Sequence, residues 1–383
     1  MEVGLDAFLR EFCHQYKGAR IGVVTNSTGI DSSLRRNIDL FLENGLKIVK
    51  LFGPEHGVFG AAPDGIKVSD FVEPRYKIPV HSLYGENLRP TQEMLKDLDV
   101  MIYDIQDVGL RFYTYIYTMA YCMEECAKHG IKFVVLDRPN PLSCKIEGPT
   151  IKKEFESFVG GYGLALRYGL TVGELAMYLN HTFKFNADLN VITMRGYSRS
   201  SFYDETGLLW NTPSPNLPSL EHTVLYAGFC LFEGVNVSVG RGTVHPFKYI
   251  GAPWIDSEKV YKELMKFNHQ GVAFRERVFV PAAFKLHNQV CNGLEFFVTD
   301  KQKIKPLNVA IDLLSVLKRV HREDFSWDKY YHDESERYYF DLLMGDDFYR
   351  KAIEDGATSK DLEPVWEREA QNFYKSVEKY FLY

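Results

Sequence analysis

Four short apolar runs set the strongest limit on how this chain can fold. They are ARIGVVTN (19–26), LKIVKLF (46–52), LDVMIYDI (98–105) and IKFVVL (131–136). None shows the strict apolar–polar alternation of a strand with one face in water. Between the first two, Leu34, Ile38, Leu40 and Phe41 recur at helical spacing over 32–44, and Gly45 supplies a C-terminal stop. Strand, helix and strand in succession predict two parallel strands joined by a right-handed crossover. A largely apolar helix over 111–128, ending at Gly130, repeats the pattern. The expected N-terminal half is therefore α/β, a mainly parallel sheet covered on both faces.

The rest of the chain reads differently. Thr171-Val-Gly-Glu174 has the form of a capping box opening a helix over 171–181, so Glu174 is read as structural. A strand over 189–194 follows, then the rigid PSPNLP turn at 213–218. Beyond it come a helix over 219–231, strands near 276–281 and 292–299, and helices near 306–321, 335–345 and 363–381. This is the pattern of a smaller α+β domain. A chain of 383 residues is long enough for two domains. The division is expected at 1–220 and 221–383.

Each of the four apolar runs ends in polar residues. The first ends at Asn26, the second at Glu55-His56, the third at Asp104-Ile-Gln106-Asp107 and the fourth at Asp137-Arg138-Pro-Asn140. In open parallel sheets ligands bind beyond the carboxyl ends of the strands, so these residues are expected to build one polar cleft. Glu55 stands out, because LFGPEHGVFG (51–60) places it on a tight glycine-rich loop directly after a strand.

The missing motifs narrow the chemistry. The first strand leads into TNSTGID, not a GxGxxG loop, and no GxxxxGK[ST], GxSxG or HExxH occurs. No cofactor and no metal are expected. Carboxylates remain, and paired carboxylates are the working parts of glycosidases. Glu55, Asp104 and Asp107 are the catalytic candidates; the two aspartates suit helix capping or pairing with Arg111 equally well. Arg111, Tyr113 and Thr114 from RFYTY, with His56 and Tyr84, are candidate ligand contacts.

The net charge of −6 comes without a basic stripe, which excludes nucleic acid as the expected partner. No run approaches the roughly 18 apolar residues that span a bilayer, so no membrane partner is expected. The six cysteines include no CxxC pair and read as buried reduced thiols. The N-terminus has no basic start followed by an apolar run. The expected location is cytoplasmic, or secreted or periplasmic if a signal peptide has been removed.

Six motifs together carry a family resemblance. GPEHGVFG, HSLYG, YDIQDVGLRFYTY, VVLDRPNPL followed by EGP, PSPNLP, and FEGVNVSVGRGT followed by PF occur in that order between about 20 and 250. The chain resembles the NamZ-type exo-β-N-acetylmuramidases. The resemblance implies a Rossmann-like catalytic domain, an auxiliary C-terminal domain and an active site in the cleft between them. It implies release of N-acetylmuramic acid from the non-reducing end of peptidoglycan fragments, so peptidoglycan-derived muramyl saccharides are the expected partners, and no cofactor. The family's proposed general acid/base falls on Glu55. Asn26, His56, Tyr84, Gln106, Arg111, Tyr113, Thr114, Asp137, Arg138, Asn140, Glu233, Asn236 and Arg241 are the expected substrate contacts, with Arg111 or Arg241 clamping the lactyl carboxylate. Two positions depart from the family: Val239 stands where SEGRGT has glutamate, and Tyr168 where RHGMT has histidine. A carbohydrate esterase and a non-catalytic binder of cell-wall sugars are the alternatives.

Overall fold

Burial on both faces explains why the first strands read as continuous apolar runs. The computed structural model describes every residue except Asp64 and 331–335. Its central sheet contains β1 (Arg20–Thr25), β2 (Lys47–Gly53), β3 (Phe71–Val72), β4 (Pro79–Ser82), β5 (Val100–Asp104) and β6 (Lys132–Leu136). After the hairpin β7 (Glu147–Thr150) and β8 (Ala165–Arg167), β9 (Leu189–Ile192) completes it, in the order β3-β4-β2-β1-β5-β6-β9. Only β3 runs antiparallel to its neighbour. The order reverses at β1, where the chain goes outward through β2 on one side and returns through β5 on the other. Such a switch point opens a crevice at the carboxyl ends of the strands.

Alternate residues of the strands feed two apolar clusters. Ile21, Val23 and Leu51 pack with Phe8, Ile38 and Phe41 on one face. Val24, Phe52 and Met101 pack with Ile116, Met119 and Leu175 on the other, against the helices Tyr115–Lys128 and Val172–Thr182. This second cluster continues into the C-terminal half through Leu225, Phe296, Leu314 and Trp366, so the two halves share one apolar core.

The C-terminal half holds an antiparallel sheet of β10 (Tyr249–Ala252), β12 (Cys291–Val298) and β11 (Val272–Phe279), in that order. Around it lie helices that include Leu220–Phe229, Pro306–Val320, Tyr339–Met344 and Ser359–Val377. The first residue of the helix expected over 335–345 lies outside the described residues. The chain end folds back on the first half, where Tyr383 Oη donates to Asp137 Oδ2 at 2.7 Å and Leu382 N to Glu174 Oε1 at 2.8 Å. The expected capping box is formed: Thr171 Oγ1 accepts from Glu174 N at 3.3 Å, and Glu174 Oε2 from Thr171 N at 3.0 Å.

Two helices start later than their spacing predicts, each for a local reason. The helix expected over 32–44 begins at Asn37, because Asp31 Oδ1 accepts from Ser33 N (2.9 Å) and Arg35 N (2.7 Å) and holds that segment in a turn. The helix expected over 111–128 begins at Tyr115, because Arg111 N bonds Leu166 O at 2.8 Å and draws the backbone toward β8. The β7–β8 hairpin and β10 were not expected from the sequence. All six cysteines are unpaired thiols, and no described helix is long and apolar enough to cross a membrane.

Candidate active site

The loop after β2 is built by a tight turn. Gly57 N donates to Pro54 O at 2.9 Å, and His56 and Gly57 adopt φ of +69° and +71°. A left-handed conformation at a non-glycine residue is strained and held by its surroundings. Here His56 is buried and its Nδ1 lies 2.7 Å from Ala62 O. The turn sends the two side chains apart: His56 goes inward and Glu55 stays half-buried, open to the cleft. Burial holds the His56 imidazole below its usual range, with Glu55 pulling it up and Arg241 adding to the fall.

Glu55 is held by its two oxygens. Thr114 Oγ1 donates to Oε2 at 2.7 Å and Gly65 N to Oε1 at 3.3 Å. Replacing Thr114 by valine keeps the shape and removes a hydrogen bond to a charged group, worth about 1.5 kcal/mol or more. Thr114→Val is therefore expected to lower kcat about tenfold in a steady-state assay. Tyr113 and Tyr115 flank Thr114, and the Glu55 charge reaches both phenols. Tyr115 Oη donates to Pro213 O at 2.7 Å, which places the PSPNLP turn in the wall of the site. The Tyr113 hydroxyl and the Asn26 amide both lie within reach of the Tyr115 phenol oxygen, which ties the end of β1 to the RFYTY segment.

The C-terminal half contributes the opposite wall. Glu233 sits in the single-turn helix Cys230–Gly234. Its Oε1 accepts from Arg241 Nε at 2.6 Å, and Oε2 lies 3.6 Å from Cys230 Sγ. Arg241 occupies a loop between Gly240 and Gly242, both at positive φ (75° and 77°). A Cβ at Gly242 would stand 2.5 Å from Ala283 N, so the loop needs glycine there. Burial pushes the Glu233 carboxyl up to about 7, opposed by Lys285 and Cys230 and reinforced by the charge of Glu55. Glu55 and Glu233 thus come from different halves of the chain and feel each other across the cleft.

Most of the other polar strand ends do collect at this edge of the sheet, but they satisfy one another. Asp104 is fully buried: Arg138 Nε and Asn37 Nδ2 donate to its two oxygens, each at 2.7 Å, and Arg138 Nη2 reaches Ile30 O. Asp104 and Arg138 thus satisfy each other inside the protein. Asp137 accepts from Tyr383 Oη, Thr171 Oγ1 and Gly173 N. Gln106 Nε2 donates to Asp107 O and Pro139 O, and Asn140 bonds Leu170 O and Leu142 N. Asn236 bonds Asp324 O and Ser326 N. Arg111 is buried completely, and its guanidinium donates to the carbonyls of Pro149, Leu164 and Leu343. It ties the two halves together and is not available to a lactyl group; burial pushes it down to about 10. Tyr84 is half-buried against Phe158, with ring centroids 6.0 Å apart, on the strand end beyond β4.

Asp107 lies one layer below Tyr113 and Tyr115. Tyr168, the family-variant residue, donates to Asp107 Oδ2, and Gly109 N donates to the same oxygen at 2.6 Å. Oδ1 has no hydrogen-bond partner among the described residues. Burial without a cation pushes this carboxyl up to about 6, from an ordinary 3.8. The folded state then holds a proton more tightly than the unfolded state, so this group's contribution to stability falls as pH rises from about 4 to 6. Asp107→Asn removes that titration. Its Tm is expected to fall less than that of the parent between pH 4.5 and 7, read by thermal unfolding in a buffer series. Val239, the other family-variant residue, is buried in the apolar core, and its carbonyl accepts from Phe247 N at 2.6 Å.

Of the residues singled out in the sequence, Asn26, Glu55, His56, Tyr113, Thr114, Glu233 and Arg241 lie near one another. Sequence reasoning missed Pro213 O and Lys285 as parts of the surroundings. Lys285 Nζ binds Glu233 O at 3.1 Å and Asp328 Oδ2 at 2.5 Å, and no motif marks its loop.

An open, mainly parallel α/β sheet with polar strand ends at its switch point, joined to a second α+β unit, is the architecture of this chain, and the comparisons with known proteins place it in a family of enzymes. The family models "Exo-beta-N-acetylmuramidase NamZ, N-terminal" and "C-terminal" match residues 21–221 and 224–383. The chain therefore belongs to the exo-β-N-acetylmuramidase NamZ family, a family of glycosidases. It is 41% identical over 385 residues to the peptidoglycan β-N-acetylmuramidase NamZ of Bacillus subtilis (strain 168), covering 100% of this chain and 91% of that protein. Two crystal structures of DUF1343 family proteins from Bacteroides fragilis NCTC 9343 share the fold. One has a TM-score of 0.89 at 32% identity, the other 0.77 at 30%, and each alignment covers 100% of this chain and 98% of that one.

Proposed function

We propose that the protein is an exo-acting hydrolase that releases N-acetylmuramic acid from the non-reducing end of peptidoglycan fragments, with Glu55 as general acid/base. The observation that carries this reading is Glu55 itself, a half-buried carboxylate fixed by Thr114 and Gly65 in the cleft between the two halves. The identity to the B. subtilis muramidase supports the substrate. As the glycosidic C1–O bond breaks, Glu55 delivers a proton to the departing oxygen and then takes one from the water that adds at C1. Asn26 and Tyr113, gathered around the Tyr115 phenol next to Thr114, receive sugar hydroxyl and acetamido groups. With Arg111 buried, Arg241 is the cation that receives the lactyl carboxylate. The test is release of chromophore from a chromogenic N-acetylmuramide by the purified protein. Absence of release, with binding detected by calorimetry, would favour the sugar-binding alternative.

A further inference from the structure

The cleft holds a carboxylate that the reaction scheme leaves without a task, Glu233. It does not stand alone. Its Oε1 takes the Nε–H of Arg241 at 2.6 Å, and the central carbon of the guanidinium lies 5.2 Å from the Phe247 ring centroid and 5.5 Å from that of Phe284. A guanidinium is planar, so the hydrogen bond at Nε and the two ring contacts help to fix its plane. Lys285 approaches from behind and binds the backbone carbonyls of Glu233 and Val235, which anchors the turn that presents the carboxylate. The Phe247 ring beside Arg241 packs on Tyr226 with centroids 4.5 Å apart, and Tyr226 on Tyr113 at 6.5 Å, next to the Thr114 that holds Glu55, so Arg241 stands close to the reacting groups.

We propose that Glu233 is a positioning residue: it orients Arg241, and through it makes the enzyme prefer a sugar bearing a 3-O-lactyl carboxylate over a neutral N-acetylhexosamine. The inference rests on the function proposed above and adds the source of its selectivity. A carboxylate is recognised well by a guanidinium only when the plane of the fork is set beforehand; an unheld arginine must be ordered on binding. Glu233 does that ordering in the free protein.

The test is calorimetric binding of N-acetylmuramic acid and N-acetylglucosamine to the parent protein, Glu233→Gln, Arg241→Gln and the double variant. A parent without preference for the acidic sugar contradicts the proposed substrate itself, not the role of Glu233. Given that preference, Glu233→Gln is expected to weaken the acidic sugar about tenfold and leave the neutral one unchanged, the size of a lost charge-assisted hydrogen bond. The double variant is expected to lose no more than Arg241→Gln alone, because the two residues act as one unit. In turnover the Glu233→Gln loss is expected in KM rather than kcat. If Glu233→Gln fails to fold, Glu233→Asp keeps the charge, shortens the reach and is expected to lose the preference as well. Unchanged preference in a folded Glu233 variant, additive losses in the double variant, or a loss confined to kcat would overturn the assignment.

Discussion

Glu55→Gln lowers kcat by at least ~100-fold, the low end for removal of a general acid, and leaves KM close to that of the parent. The reasons are geometric. A glutamine fits the same loop, and its oxygen still accepts from Thr114 Oγ1 or Gly65 N, so the cleft keeps its shape. What disappears is the proton the carboxyl carries into the transition state and takes back from water. A loss in kcat and kcat/KM together, with binding intact, is the kinetic mark of an interaction made only in the transition state. Thermal unfolding is expected to change little, because the side chain is half-buried and forms no ion pair among the described residues. Steady-state kinetics on the chromogenic muramide, with a melting curve for each protein, checks both statements. Near-parental turnover would remove Glu55 from the role.

Asp104→Ala gives the opposite result. Asp104 and Arg138 are a buried pair, and Asn37 satisfies the second carboxylate oxygen. Removing one partner leaves a guanidinium buried without its counter-charge, which costs about 3–5 kcal/mol. Burial already raises the Asp104 carboxyl against the pull of Arg138, which shows how dry the site is. The variant is expected to unfold at markedly lower denaturant, while the folded fraction keeps the parental kcat. The double variant Asp104→Leu with Arg138→Met removes both charges and is expected to regain much of the loss. A stable Asp104→Ala protein with collapsed kcat would instead place this carboxylate at the substrate.

The contrast between these two carboxylates shows what was legible in the sequence. The apolar runs, the helices between them and the polar strand ends identify a parallel sheet and the edge where a site forms, because periodicity and turn chemistry are local. Glu55 could be singled out because proline and glycine surround it. The fate of each polar strand end was not legible. Asp104 finds its partner at Arg138, thirty-odd residues later just past the end of β6, and Arg111 finds its acceptors at Pro149, Leu164 and Leu343. From the sequence, a polar residue facing a ligand and one facing another polar residue read alike. The Glu233–Arg241 pair was present as residues but not as a pair, since a single-turn helix and a glycine loop must first bring them together. The β7–β8 hairpin and β10 escaped because their short runs, EGPT, ALR and YIGA, carry glycine or lack alternation.

The central claim is the bond that is cut. Mass spectrometry of the products from a muramyl disaccharide with N-acetylmuramic acid at its non-reducing end tests it most directly. The account predicts two free sugars, N-acetylmuramic acid and its former neighbour, with the acetyl and lactyl groups intact, and almost no product from Glu55→Gln. A disaccharide recovered with its glycosidic bond whole, unaltered or lighter by an acyl or lactyl group, would contradict it.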